Sequence, residues 1–429
     1  MSVPTAVSLR SRMEKWLHKP CTPSAHRIPE LNGLRVLLVF IVSWYHIWQQ
    51  SWLTPHIGSY SLDFLVRAGY VPVDGTILLS GFLLFLPHAR AMLLGERVPE
   101  VRSFYQKRVM RIVPSYYFVT LMMLFAVAIP YGLYWHPGVM TEDVIRHLTF
   151  TQTFDYASYI STPIGVASWT IAIEMQAYLV FPLLAKCARK NAPATFFAMA
   201  ALGLGFRCWC LWALDDMNMV VNQLPNFLDV YAMGMGASLL YVKLTTLWPQ
   251  EKRRQLVLSA IATGLILLAF WGFTMVLRQQ AGTPQSALQS GQMVRRPAFA
   301  LLLAVVTLCL PFSLRPVRFL FGNRLMGFLA MVSMNYYLVH QNVAVYLKYR
   351  IQFPPAMNYP TPNTAPGGPE QPWADQYTAL CFGVSLLMAV AITFLVEKPC
   401  AWLLGKLFGK INAVWDARRR PNNAIQQEE

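Results

Sequence analysis

Residues 29–52 read PELNGLRVLLVFIVSWYHIWQQSW, and the reading of this stretch decides the fold. A helix of about 20 apolar residues crosses the ~30 Å hydrocarbon core of a bilayer, and the stretch is of that length and character. Within it stand one arginine, Arg35, and one histidine, His46. Eleven positions at ~100° each return to within ~20° of the start, so both side chains share a helix face. At ~1.5 Å per residue they stand roughly 16 Å apart along the axis. With Arg35 at one membrane surface, His46 lies well inside the bilayer. An ionisable group there is costly, and its presence points to function.

The rest of the chain repeats the apolar pattern. Its 429 residues are 55% hydrophobic and 13% charged, with a mean hydropathy of +0.38. Soluble domains carry roughly 25% charge, so the composition predicts an all-α, polytopic membrane protein. Apolar segments near 33–54, 70–91, 112–134, 166–186, 194–213, 225–244, 255–277, 295–312, 325–347 and 376–397 predict a bundle of about ten transmembrane helices. A net charge of +16 would suggest nucleic acid as the partner of a soluble protein. Here its distribution explains it. With the N-terminus in the cytoplasm, seven of the 36 Lys and Arg (67, 146, 278, 295, 296, 348 and 350) fall outside. Arg207 lies within a span and the other 28 border the cytoplasm. That asymmetry predicts both termini cytoplasmic, a lipid bilayer as the environment and no nucleic-acid partner.

Residues 1–28 form a basic tail in which Leu9, Met13, Trp16 and Leu17 recur at helical spacing, as in a helix lying on an anionic membrane surface. The tail lacks the apolar core of a cleavable signal peptide. Residues 29–398 form the membrane domain. Residues 399–429 form a second tail, in which Trp402, Leu403, Leu407, Ile411 and Trp415 alternate with Lys406 and Lys410 as in another interfacial helix. Loops 135–165 and 353–372 lie on the outer side, the latter extended by its prolines. The seven cysteines show no metal-ligand spacing, and no metal site is expected.

Depth organises the polar groups inside the spans. His46 lies roughly 10 Å below the outer surface, Asp74 roughly 6 Å, Glu174 roughly 12 Å and His340 roughly 10 Å, by helical rise from each span's outer end. These four residues fall in one slab of the outer leaflet. A carboxylate in hydrocarbon needs a partner, and a carboxylate beside a histidine orients the imidazole and makes it more basic. Such a pair can deprotonate a hydroxyl. Ser80 lies deeper, and Tyr337 can donate a hydrogen bond toward the slab. At the inner surface, Arg108 and Arg111 are three apart on one helix face, with Arg35 at about the same level. The positive-inside rule accounts for arginines there, and their planar forks equally suit phosphate oxygens. Pro114, Pro182 and Pro399 read as helix starts or ends, and Gly234 as a small face for close helix packing.

Taken in order, these stretches resemble the acyltransferase-3 family of integral-membrane O-acyltransferases. Arg35 and His46, eleven apart, look like the family's first-span signature. Val73-Asp74-Gly75 through Ser80-Gly81-Phe82-Leu83 is similar to its G-V-D…S-G-F-L segment. Tyr105 to Pro114, with Arg108 and Arg111, resembles its R-x-x-R stretch. Ser168-Trp169 through Glu174 and Tyr178 to Phe181-Pro182 is similar to W-S-L-x-x-E-x-x-F-Y…F-P. Ser333 to His340 resembles S-Y-x-x-Y-L-x-H, and Glu397-Lys398-Pro399 the terminal E-x-P. Met175 stands where the family has a second glutamate, and Thr76-Ile77 where it has two phenylalanines.

The resemblance implies a membrane O-acyltransferase of the cell membrane, of the type without an appended extracytoplasmic domain. It takes an acyl group, usually acetyl, from acyl-CoA as co-substrate on the cytoplasmic side. It passes that group to a hydroxyl of a cell-surface glycan or other glycoside. On this reading His46 is catalytic, paired with Glu174 or Asp74. Arg35, Arg108 and Arg111 hold the donor's phosphates, and Ser80, Tyr337 and His340 line the path. The alternative is a secondary transporter with ionisable groups in its bundle, but the second half of the chain has no counterpart of Arg35 and His46 or of Asp74 and Ser80.

Overall fold

The structure is a computed structural model that describes residues 23–351 and 372–425. The amphipathic segment of the first tail and nearly all of the proline-rich loop lie outside those residues. Helix α1 spans Glu30–Ser51 and ends at Trp52, whose φ of 54° turns the chain. A two-residue hairpin, β1 (His56–Ile57) with β2 (Tyr60–Ser61), and the short α2 (Asp63–Arg67) lead to α3 (Val73–Leu94). α4 (Val101–Met123) continues through a π turn, Leu124–Ala128. The short α5 (Pro137–Leu148) and α6 (Tyr156–Ile160) form a cap before α7 (Trp169–Lys190), α8 (Ala192–Ala213) and α9 (Leu228–Thr246). Then come α10 (Lys252–Ala281), α11 (Leu288–Cys309), α12 (Arg315–Gly322) and α13 (Arg324–Tyr346). α14 (Ala374–Ile392) runs through a π turn, Thr393–Glu397, into α15 (Lys398–Ile425).

Among the described residues nine helices are long and apolar enough to cross a membrane, and α12 with α13, bent by 41°, makes a tenth. The protein is an all-α integral membrane protein of many spans. Its apolar surface follows from the solvent: side chains such as Leu179, Phe197, Leu267 and Leu387 stand exposed on the helices, where lipid rather than water faces them. Two faces hold the bundle together. α9 lies along α3 because glycines let the backbones touch. A Cβ on Gly81 would come within 2.6 Å of the Tyr231 carbonyl oxygen, and one on Gly234 would collide with the Leu78 backbone. This is the close packing expected of Gly234. On the other side α1 packs on α13, and α13 on α14.

Two boundaries differ from the sequence reading in ways that matter for the site. α4 begins at Val101, eleven residues before the apolar run that marked it, and holds Pro114 in its interior. Pro182 likewise lies inside α7. Membrane helices tolerate such prolines where neighbouring groups satisfy the freed backbone. α11 begins at Leu288, so Arg296 is a helix residue with no exposed surface rather than an outer-loop residue. After Glu397 the chain continues the last helix. Residues 374–415 run as one helical stretch of 42 residues, about 63 Å at the helical rise and twice the hydrocarbon thickness. Its lower part is fastened to α4, where Gln106 donates to Asn412 at 2.9 Å and the Arg102 guanidinium stands 5.4 Å from the Trp415 ring.

Candidate active site

The bundle holds a cavity of about 170 Å³ between α1, α3, α4, α7 and α13. Its polar lining is Arg35, Ser80, Arg108, Arg111, Glu174 and Tyr178, with Thr76, Thr170, Ser333 and Tyr337. Helical spacing puts them there. Ser80 and Thr76 are one turn apart on α3, Arg108 and Arg111 are three apart on α4, and Thr170, Glu174 and Tyr178 are spaced by four on α7.

The three arginines are held differently. Arg111 forms an ion pair with Glu397, at the end of the π turn, and donates to the Met331 carbonyl at 3.4 Å. Glu397 is itself buried and accepts a 2.7 Å hydrogen bond from Asn335, which also donates to Thr393 at 2.7 Å. Arg108 lies between rings, 5.8 Å from Phe104 and 5.7 Å from Tyr178. Arg35 forms no hydrogen bond or ion pair among the described residues and lines the cavity, so its donors are available to a ligand. Glu174 accepts from the Tyr178 hydroxyl at 3.0 Å and feels the charges of all three arginines. Three arginines against two carboxylates leave the cavity net positive. An arginine at a helix centre costs about 2.5–3.5 kcal/mol to insert, so such groups either pair with other protein groups or face a polar ligand.

Glu174 therefore belongs with the arginines and not with His46, a correction to the expected slab. The reason is the early start of α4. Arg108 and Arg111 stand seven and ten residues into that helix, roughly 11 and 15 Å along it, and reach the level of Glu174. Asp74 is displaced too. Its carboxylate accepts from Arg296 Nε at 3.0 Å, with both side chains fully buried, and the buried Arg207–Asp229 pair lies nearby. Arg296 also donates to the Val221 carbonyl at 2.9 Å and stands 4.1 Å from the Phe227 ring. These two ion pairs join α3 to α11 and α8 to α9. Asp74 is a tie between helices in this structure, and neither Asp74 nor Glu174 bonds to His46.

Above the cavity, Val39, Val42, Val73, Ala167 and Tyr337 pack into a small apolar layer. Beyond it stands His46, two turns past Val39 on the same face of α1. Its Nδ1 is 3.1 Å from Gln49 Oε1, and its ring lies 5.2 Å from that of His340. His340 is wholly buried; its Nδ1 is 2.6 Å from the Tyr337 carbonyl, and its Nε2 has no partner among the described residues. Nδ1 must donate to that carbonyl, so Nε2 carries the lone pair. The site thus has two tiers, arginines with a glutamate below and paired imidazoles above, separated by an apolar layer that includes Tyr337. Ser80 and Tyr337 line the lower tier, and His340 stands in the upper one. The residues missed in sequence are Gln49, Asn335, Arg296 and the role of Glu397. A neutral amide gives no signal of its own, and long-range pairs are not visible in a single chain.

Outside the spans, the cap holds Asp143. Burial alone would raise its carboxyl, but the His147 ring, with Nδ1 3.0 Å from it, and hydrogen bonds from the Tyr134 hydroxyl at 2.6 Å and from Thr162 at 2.7 Å outweigh it and hold the group below the usual carboxylate range. Among the described residues no group of three His, Cys, Asp or Glu side chains is placed to hold a metal.

The comparison with known families decides what this arrangement belongs to. A family model described as an acyltransferase domain matches residues 28–397. The chain belongs to the acyltransferase-3 family. Its relatives carry acyltransferase names. Over 273 residues it is 23% identical to the O-acetyltransferase OatA of Staphylococcus aureus, covering 59% of this chain and 40% of the relative. A peptidoglycan O-acetyltransferase OatA of Listeria monocytogenes is 26% identical over 171 residues, 36% of this chain and 24% of that one. The chain thus spans two fifths or less of these OatA proteins. The acyltransferase MdmB of Streptomyces mycarofaciens is 23% identical over 415 residues, 90% of this chain and 94% of the relative. No solved structure matches the chain.

Proposed function

We propose that this acyltransferase is an O-acyltransferase of the cell membrane that uses acyl-CoA, with acetyl as the group carried, and acylates a hydroxyl of a cell-surface glycan or other glycoside. The observation that carries the reading is Arg35. It is a guanidinium inside a membrane bundle with no protein partner among the described residues, facing the same cavity as Arg108 and Arg111. A ligand with several phosphate oxygens would satisfy it, and planar arginine forks bind such oxygens in pairs. Coenzyme A carries phosphates at one end and the thioester at the end of a long flexible arm. His46 stands roughly 16 Å from Arg35 along α1, which suits an arm that passes the apolar layer.

In the proposed reaction, His46 takes the proton of the acceptor hydroxyl as its oxygen attacks the thioester carbonyl carbon. The new C–O bond forms, the C–S bond breaks, and the leaving thiolate recovers the proton from the imidazolium. General-base assistance of this kind contributes about 10²–10⁴-fold. The names of the OatA relatives support a glycan as acceptor and acetyl as the group carried. The test is labelled acyl transfer from acetyl-CoA to a glycan acceptor by purified protein in lipid nanodiscs. Transfer that His46→Ala abolishes supports the reading. No transfer and no thioester cleavage by well-folded protein refutes it.

A further inference from the structure

His46 has no carboxylate at its ring, and what it has instead is specific. Gln49 lies one turn further along α1 and makes two hydrogen bonds that fix its orientation. Its Nε2 donates to the Tyr45 hydroxyl at 2.8 Å, and its Oε1 faces His46 Nδ1 at 3.1 Å. An amide oxygen only accepts, so Nδ1 of His46 must carry the hydrogen, and the lone pair is left on Nε2. Tyr45 is in turn wedged in place. Its ring lies 5.1 Å from Tyr70, edge to face, and the Gly69 backbone comes so near that a Cβ there would stand 2.8 Å from Tyr45 Cβ. Tyr70 is anchored by a 2.6 Å hydrogen bond from Gln280 of α10.

We propose that Gln49 is the positioning residue of the active site, setting the tautomer and ring angle of His46 in the place where a carboxylate was expected. The proposal rests on the reading of His46 as the base. The order of contacts runs from Gly69 and Tyr70 to Tyr45, to Gln49, to His46. It presents Nε2 as the bare nitrogen on a ring that also lies beside those of Tyr45 and His340. His340 is likewise fixed with Nδ1 on a carbonyl. The two imidazoles therefore both offer Nε2 as base.

The experiment measures kcat and KM for acetyl-CoA in Gln49→Leu, Gln49→Glu and Tyr45→Phe, beside His46→Ala, with thermal unfolding of each variant in detergent. Leucine fills the space of glutamine without an acceptor. Glutamate keeps an acceptor oxygen at the same position whether or not it is ionised. The expected result is a fall of at least ~10-fold in kcat for Gln49→Leu, with the donor KM within about twofold of wild type. Gln49→Glu should recover most of the loss, and Tyr45→Phe should show a smaller fall with the same split. Equal kcat in wild type and Gln49→Leu would overturn the proposal while leaving His46 as the base. So would a loss in Gln49→Leu that Gln49→Glu does not repair in equally stable protein. Undiminished transfer by His46→Ala would instead remove the reading on which it rests.

Discussion

Asp74 distinguishes two accounts of this bundle, because the sequence pattern places it beside a catalytic histidine and the structure places it against Arg296. Replacing it with asparagine keeps its shape and removes its charge. The Asp74–Arg296 pair is 1% and 0% exposed, so screening by water is negligible, and breaking a buried pair from one side costs about 3–5 kcal/mol. Arg296 keeps the Val221 carbonyl and the face of Phe227, which puts the expected cost near the lower end. Replacing both members by apolar or neutral groups removes the stranded charge, and such double replacements are often neutral or stabilising. Asp74→Asn should therefore lower the thermal midpoint of the purified protein by several degrees. The double variant Asp74→Asn with Arg296→Met should regain most of that loss. The fraction of Asp74→Asn that remains folded should transfer acyl groups with kcat within a few-fold of wild type. An unchanged midpoint together with a ~100-fold fall in kcat would refute the structural role and return Asp74 to the chemistry.

Two further outcomes follow from residues outside the imidazole tier. Glu397→Gln weakens the ion pair that orients Arg111 while keeping a partner for Asn335. A charge-assisted hydrogen bond contributes about 1.5–3 kcal/mol, so the KM for acetyl-CoA should rise roughly tenfold or more with little change in kcat; an unchanged KM would show that Arg111 needs no such support. In the cap, the lowered carboxyl of Asp143 contributes stability that is present above the ordinary carboxylate value of about 4 and is lost as pH falls through the lowered one. Protection of residues 137–162 against hydrogen exchange, relative to the intrinsic rate at each pH, should therefore be high at pH 7 and begin to fall below about pH 4, and Asp143→Asn should be poorly protected at both. Wild-type protection of these residues in Asp143→Asn at pH 7 would contradict this.

Hydropathy made the number of spans legible, because each helix has to be apolar for the length of a bilayer whatever it packs against. The same signal misplaced their starts. α4 opens with Val101 to Ile112, a segment too basic to read as membrane, and that error moved Arg108 and Arg111 to the surface and away from Glu174. The start of α11 was hidden in the same way, and with it the partner of Asp74. The pairing of residues 222 positions apart is a property of the packed bundle, and local pattern carries no trace of it. By contrast Gln49 was within reach. It stands three residues after His46, a spacing that brings side chains together on any helix, but an uncharged amide in an apolar run attracts no attention beside two carboxylates. The histidine and the three arginines were recognisable because charge in hydrocarbon is costly and because they fall in the order of a family signature.

The central claim is that binding and chemistry are divided between two tiers on α1. Titrating coenzyme A, without an acyl group, into purified wild-type, Arg35→Ala, Arg108→Ala and His46→Ala proteins tests it most directly. Loss of one charge-assisted contact to a phosphate is worth about 1.5–3 kcal/mol, and each 1.4 kcal/mol is tenfold in Kd. The account predicts that Arg35→Ala and Arg108→Ala each weaken binding by roughly tenfold or more, while His46→Ala binds as wild type and transfers nothing. Wild-type affinity in both arginine variants, or a His46→Ala protein that no longer binds the coenzyme, would contradict it.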